Sequence, residues 1–171
     1  MKIVILNGSH REGNTYNFSR EAEKNLNKKH KAQVFDLIKM DITPCVGCLD
    51  CEDEKKCPIA KDKYTSEIMP ALMSADLIIF ATPVYFNMPS AAMVSLINRT
   101  NNLCGYFSEN PKKAFVYLVG QTDAESMKDA HKCLQTYFEI MGMEEITDPI
   151  IEIARMPGEG KENYVDALKN I

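Results

Sequence analysis

The chain alternates short apolar runs with longer amphipathic stretches over most of its length. The third and fourth runs are almost continuous in Leu, Ile, Val and Phe, which is typical of strands buried on both faces of a parallel sheet. Strands that alternate with helices form such a sheet with helices on both sides. We therefore predict an α/β fold, a three-layer, doubly wound, five-stranded parallel sheet with strand order 2-1-3-4-5. The predicted strands are residues 2–6, 32–37, 76–81, 114–120 and 146–153.

The stretches between these runs repeat apolar residues at the three- and four-residue steps of a helix. The repeat is clearest over residues 127–141, and Gly142 follows it as a residue that can end a helix. In a doubly wound sheet, ligands bind at the carboxyl ends of the strands, around the switch between the first and third strands. The loops that follow strands one and three are therefore the place to look for a site. Further helices are predicted at residues 18–26, 64–74, 91–99 and 162–171.

The length and the charge of the chain exclude several classes of protein. The 171 residues suit one domain with a sizeable core, and we expect a single domain over residues 1–171 with a cysteine-rich loop at about residues 44–62. The net charge of −4 gives no basic footprint for nucleic acid. The longest apolar run, at residues 77–81, is far shorter than the ~20 residues that cross a bilayer. We expect a cytoplasmic protein that binds neither nucleic acid nor membranes.

The loop after the first predicted strand, residues 7–15, is rich in groups that bind anions. A helix follows it, and a helix N-terminus offers free backbone N–H groups to a phosphate. Ser9 and Thr15 add hydroxyls, Asn14 an amide, and Arg11 a guanidinium that can hold two phosphate oxygens. The loop carries neither the dinucleotide fingerprint nor the P-loop pattern. A terminal monophosphate is one interpretation, and an ordinary turn with a Ser or Asn helix cap is the other.

The loop after the third predicted strand, residues 82–90, contains two prolines and the adjacent aromatics Tyr85 and Phe86. A planar, multi-ring ligand needs a stiff, apolar wall with backbone polar groups at its edge. The strand order predicts that this loop lies beside the cleft. The alternative is that the two aromatic rings close off the end of the strand.

Together, residues 8–15 and 82–86 resemble the NAD(P)H-dependent FMN reductase family of flavodoxin-like proteins. The resemblance covers about the first hundred residues, and the remainder fits through its order of strands and helices. It implies that the first loop holds the FMN phosphate and that the second lines the ribityl chain and the isoalloxazine ring. A third loop, after the fourth predicted strand, would also contact the flavin. The implied residues are Ser9, Arg11, Asn14 and Thr15, then Pro83, Val84, Tyr85, Phe86 and Asn87, then Gly120 and Gln121.

The same resemblance implies an activity. The protein would be an FMN-dependent oxidoreductase that takes reducing equivalents from NAD(P)H, a transient co-substrate, and passes them to an acceptor. No catalytic acid or base is needed, because the chemistry occurs on the flavin. The acceptor would be a small molecule, such as a flavin or quinone, or a protein. Members of the family form homodimers or homotetramers, so we expect self-association.

Four of the six cysteines, Cys45, Cys48, Cys51 and Cys57, lie within thirteen residues. Disulfides do not suit the reducing compartment expected for this chain. Structural zinc usually uses two C-x-x-C pairs separated by a longer loop, which this compact run does not match. Three cysteines at two-residue spacing suit an iron–sulfur cubane, with Cys57 as the nearby fourth ligand.

The cysteine spacing also resembles the motif of the iron–sulfur flavoproteins, a branch of the same family. That resemblance implies a [4Fe–4S] cluster held by the four cysteines beside the FMN, and single-electron exchange with a ferredoxin-like partner. Related FMN reductases without a cluster carry a similar segment around Cys45 and Cys48. A set of reduced or redox-active thiols is therefore the alternative to a cluster.

Overall fold

A computed structural model describes residues 1–51, 57, 58, 61–154, 156, 168 and 171 of the chain. Its strands are β1 (Lys2–Asn7), β2 (Lys31–Asp36), β3 (Leu77–Tyr85), β4 (Met88–Pro89), β5 (Lys112–Gly120), β6 (Met143–Glu145) and β7 (Ile150–Ile153). Its helices are α1 (Asn14–Leu26), α2 (Met69–Ser74), α3 (Ala91–Arg99), α4 (Tyr106–Glu109) and α5 (Lys128–Met141). Short 3-10 turns lie at Leu37–Lys39, Thr100–Leu103 and Glu125–Met127, and a π-helical turn lies at Tyr64–Ile68. Within these residues no helix combines the length and the apolar character that crossing a membrane requires.

The predicted fold class is confirmed, but the predicted strand count is wrong. Neighbouring strands run parallel in the order β2-β1-β3-β5-β6, and β7 also pairs in parallel with β5. The described residues form seven strands rather than five, so the predicted order is correct only in part. One extra strand is β6, which lies before the predicted strand 146–153. Within that prediction only β7 is a strand, and β6 and β7 pair with different parts of β5. Pro149, which has no N–H to donate to the ladder, lies in the gap between them.

The second extra strand comes from a hairpin at the end of β3. We predicted that this strand ends at residue 81, whereas it continues to Tyr85 and turns back into β4. Phe86 and Asn87 form the turn with φ values of 50° and 59°. Two consecutive left-handed residues are typical of a type I′ hairpin turn. Asn tolerates this conformation, but for Phe it is unfavourable, so the hairpin places an aromatic ring at a strained tip.

The core has two halves, one on each face of the sheet. Alternate residues of β1 divide between them, because Ile3 and Ile5 face α1 whereas Val4 and Leu6 face the opposite helices. On the α1 side, the ring of Phe18 stacks on that of Tyr117 with 4.0 Å between centroids. Leu168 is buried in the same half. The rest of the predicted helix 162–171, apart from Ile171, lies outside the described residues.

The helices on the opposite face follow the predicted segments with one deviation. Helix α5 matches the predicted 127–141, and it ends at Gly142 with a φ of +73°. The predicted helix 64–74 is a π-helical turn followed by α2, with Pro70 in the first turn of α2. Proline cannot donate to the preceding turn and its ring collides with it. The wider π-turn places Pro70 where no helical N–H is needed.

Gly8 lets three chain segments meet at the carboxyl edge of the sheet. A Cβ at this position would lie 2.7 Å from Ser90 Oγ and 3.2 Å from Thr82 Oγ1. Both hydroxyls have structural roles, because Thr82 Oγ1 accepts a hydrogen bond from the Ser90 N–H and Ser90 Oγ accepts one from the Met93 N–H. The loop after β1 therefore lies directly against the start of α3.

We expect Gly8→Ala to lower the free energy of unfolding by about 1–3 kcal/mol, because the added methyl overpacks this junction. The measurement is thermal or urea unfolding. The matched control is the same change in a Ser90→Ala background, where the nearest obstructing atom is gone and Gly8→Ala should cost less. An equal cost in the two backgrounds would contradict the packing argument.

Candidate functional site

A cleft of about 620 Å³ opens at the carboxyl ends of β1, β3 and β5. This is the edge where the predicted topology places a ligand, and the cleft receives side chains from the loops that follow these strands and from the end of β7. All eleven residues that the sequence analysis associates with a cofactor line it. They are Ser9, Arg11, Asn14, Thr15, Pro83, Val84, Tyr85, Phe86, Asn87, Gly120 and Gln121, together with Gly13, Val119, Thr122, Ala154 and Met156.

The loop between β1 and α1 forms the polar end of the cleft. Ser9 Oγ donates to the Arg11 carbonyl at 2.7 Å, and the Ser9 N–H donates to Asn7 Oδ1 at 3.1 Å, so the loop is folded by its own hydrogen bonds. Gly13 occupies the N-cap position of α1, where no side chain caps the helix. The first N–H groups of a helix have no acceptor within the helix, so this turn suits an anion in the cleft.

Asn14, the first residue of α1, contacts a residue that sequence reasoning missed. Its amide nitrogen donates to Glu152 Oε1 at 2.9 Å and to the Met156 carbonyl at 3.4 Å. Glu152 lies on β7 and also accepts a hydrogen bond from the Tyr117 hydroxyl. In the sequence, Glu152 is a single acidic residue between Ile151 and Ile153 in a predicted strand. Such a residue does not by itself indicate a functional site. The Asn14 side chain thus connects the loop to the sheet.

The hairpin between β3 and β4 forms the apolar side of the cleft. Tyr85 is 48% exposed and Phe86 is 95% exposed, so neither ring closes off the end of the strand. Pro83 is buried below them and Asn87 is exposed at the tip. The Asn87 side chain contacts Asp129 Oδ2 at 3.4 Å, which joins the tip to α5. The two rings are available to a flat ligand or to a partner surface.

The end of β5 forms the remaining wall. Gly120 is buried, and a Cβ there would lie 2.7 Å from the sulfur of Met127. Gln121 follows it and is exposed. Because Gly120 has no side chain, its backbone can approach a ligand closely.

The four clustered cysteines lie outside this cleft. All six cysteines carry free thiols; Cys45 and Cys48 are exposed, whereas Cys51 and Cys57 are half-buried. In the part of the chain that the structure describes, no three Cys, His, Asp or Glu side chains are grouped as a metal ion requires. The thiols suit an iron–sulfur cluster in their chemistry, but this arrangement does not bring them together into a site.

Arg99 holds the two ends of the cysteine-bearing segment. It is fully buried, and its guanidinium donates to the Thr43 carbonyl at 2.6 Å and to the Asp62 carboxylate. It also approaches Cys57 Sγ at 3.4 Å and lies over the ring of Tyr64. Burial by itself raises the pKa of Asp62, but the hydrogen bonds from Arg99 and from backbone N–H groups outweigh it and hold that pKa below its usual range.

Comparison with known proteins identifies the family. The sequence model of the NADPH-dependent FMN reductase family matches residues 1–155. The chain belongs to this family. The match covers the whole described cleft except Met156, and it confirms the resemblance drawn from the two loops.

Two relatives bear the same descriptive name. An iron–sulfur flavoprotein of Methanocaldococcus jannaschii is 32% identical over 145 residues, which are 84% of this chain and 74% of the relative. An iron–sulfur flavoprotein of Archaeoglobus fulgidus is 29% identical over 101 residues, 58% of this chain, and the match spans about half of that relative (49%). This FMN reductase-family chain is thus similar to proteins of the branch suggested by its cysteine spacing.

Solved structures support the fold of this family member. An NADH:FMN oxidoreductase in its apo form aligns with a TM-score of 0.65 and 15% identity over 98% of this chain and 84% of that one. A putative quinone reductase from Klebsiella pneumoniae aligns with a TM-score of 0.69 and 16% identity over 99% of this chain and 81% of that one. At these identities the likeness establishes the flavodoxin-like fold.

The carboxyl group of Glu152 should make the stability of this FMN reductase-family protein depend on pH. Burial raises its pKa above the ordinary value of 4.5, and the hydrogen bonds from Tyr117 and Asn14 offset only part of that rise. The folded protein therefore holds this proton to a higher pH than the unfolded chain does. Stability from this group falls as pH rises from 4.5 through the folded pKa.

We expect the melting temperature of Glu152→Gln, taken relative to that of the wild type, to increase as pH rises from about 4.5 to about 8, because the amide cannot ionise. Thermal unfolding of both proteins at several pH values measures the difference. A difference that stays constant over this range would contradict the raised pKa.

Proposed function

We propose that the protein is an FMN-dependent oxidoreductase that transfers reducing equivalents from a nicotinamide cofactor, through FMN in the cleft, to an acceptor. The observation that carries this proposal is the cleft itself. Its polar end has an uncapped helix N-terminus with Ser9 and Arg11, and its apolar side has Tyr85 and Phe86. A ligand with a phosphate at one end and flat rings at the other matches both ends.

The residues present suit FMN. The backbone N–H groups of the first turn of α1, with Ser9, Arg11 and Thr15, would bind the phosphate. Pro83, Val84 and the Gly120 backbone would contact the ribityl chain and the ring edge. Bound FMN would supply the chemistry of hydride and single-electron transfer, so the protein needs to supply only binding, orientation and exclusion of side reactions.

The nicotinamide would share the cleft with the flavin. The dinucleotide fingerprint is absent from the chain, so NADH or NADPH would bind transiently at the open side, beside the exposed ring of Phe86. A small-molecule acceptor would enter the same way after the nicotinamide leaves. Exposed Tyr85, Phe86 and Met88 beside this opening also support the self-association expected from the family resemblance.

The second candidate is an iron–sulfur flavoprotein that exchanges single electrons with a ferredoxin-like partner. The spacing of Cys45, Cys48, Cys51 and Cys57 favours it, as does the name of the two relatives. In the described part of the chain the thiols are not grouped as a metal site, so the support for this candidate comes from the spacing and the relatives. Iron and sulfide assays on anaerobically purified protein distinguish the two candidates.

Arg11→Ala should weaken FMN binding by about tenfold or more, because a hydrogen bond to a charged group is lost. Riboflavin, which has no phosphate, should bind with unchanged affinity. The melting temperature should change little because Arg11 is an exposed loop residue. Fluorescence titration with both flavins measures the effect, and Lys29→Ala, which removes an exposed cation beyond the far end of α1, is the matched control. Unchanged FMN affinity in Arg11→Ala would remove the phosphate assignment.

Cys48→Ser should abolish any iron–sulfur cluster and leave FMN bound, since Cys48 does not line the cleft. Iron, sulfide and flavin are assayed on the same sample, with Cys133→Ser, an exposed thiol on α5, as the control. Loss of flavin together with iron would show that the two sites are not separable. Wild-type protein that carries flavin and takes up no iron after reconstitution would exclude the cluster.

A further inference from the structure

Glu152 is a buried acid beside the cleft to which the proposed function gives no role. It is 3% exposed, and one carboxylate oxygen accepts from Asn14 Nδ2 at 2.9 Å while the other accepts from the Tyr117 hydroxyl. A buried carboxylate is costly unless charge or hydrogen bonds compensate for the water it loses. An apolar residue at this position of β7 would cost less free energy to bury. The role of the carboxylate therefore lies in the hydrogen bonds that it accepts.

Glu152 holds the start of α1. Asn14 is the first residue of that helix, and Glu152 is 138 positions further along the chain, on β7. The second contact of the Asn14 amide, with the Met156 carbonyl at 3.4 Å, reaches the same end of the chain. Gly13, in the cap position, adds no side-chain bond to this turn. The amide of Asn14 therefore fastens the first turn of α1 to the segment that carries Glu152.

We propose that Glu152 is a positioning residue that acts through Asn14 to hold the first turn of α1 in the orientation that binds the FMN phosphate. This inference rests on the proposed function. A helix N-terminus binds an anion well when its N–H groups are already oriented, because the cost of ordering them is then met before the ligand arrives. Glu152 does not line the cleft, so it would influence the phosphate only through Asn14. Its contribution is therefore specific to flavins that carry a phosphate.

The test replaces Glu152 and Tyr117 together, so that neither of these two is left buried without the other. Tyr117→Phe/Glu152→Met substitutes both partners with apolar groups of similar size, which is far milder than removing one of them. Tyr117→Phe alone keeps the contact between Glu152 and Asn14 and is the matched control. Relative to that control, the double variant should bind FMN about tenfold more weakly, while its affinity for riboflavin changes by less than about twofold. Fluorescence titration measures both affinities.

Glu152→Gln provides the conservative rescue, because Gln Oε1 can still accept from Asn14. It should bind FMN within about twofold of the wild type. Equal losses for FMN and riboflavin in the double variant would assign Glu152 a general structural role and overturn the proposal. Unchanged affinity for both flavins would overturn it as well. In either case tight FMN binding by the wild type leaves the proposed function standing, whereas a wild type that binds no FMN overturns both.

Discussion

The parallel pairing of β1 with β3 is the interaction on which the site depends. It continues past the end of β1, because the Gly8 N–H donates to the Ala81 carbonyl at 2.8 Å. This bond brings the start of the anion-binding loop against the hairpin that carries the aromatic rings. Only a residue without a side chain fits there, with Ser90 and Thr82 so close. The polar and apolar ends of the cleft are thus set by one backbone contact between neighbouring strands.

Hydrogen bonds from buried polar side chains on the strands fix the loops around the cleft. Asn7 accepts from the Ser9 N–H and donates to Asp36, so the end of β1 fixes both the first loop and the end of β2. Glu152 acts in the same way from β7 toward α1. Burying each of these polar groups costs free energy, and hydrogen bonds compensate for that cost only when the partners are correctly placed. The loops around the cleft are therefore held by the sheet, and a ligand meets a site that is already formed.

Much of the fold and of the cleft could be predicted from the sequence because both depend on local signals. The apolar runs that became β1, β3 and β5 determine which loops share an edge, and the loop residues then provide the chemistry. Glu152 could not be predicted in this way, since its partner Asn14 is far away in sequence. The last predicted strand begins late, at Ile150, directly after Pro149, which cannot donate to the ladder. The left-handed conformation of Phe86 follows from closure of the hairpin. Cysteine spacing could not decide whether the sulfurs converge, because that depends on how the loop folds.

Binding of FMN in the cleft is measured most simply by the flavin content of the purified protein. The protein is purified without added flavin, then incubated with FMN and freed of excess, and its visible spectrum is recorded at each stage. We expect the absorption bands of flavin and a limit of one FMN per chain. A protein that carries no flavin and retains none after incubation would contradict this expectation.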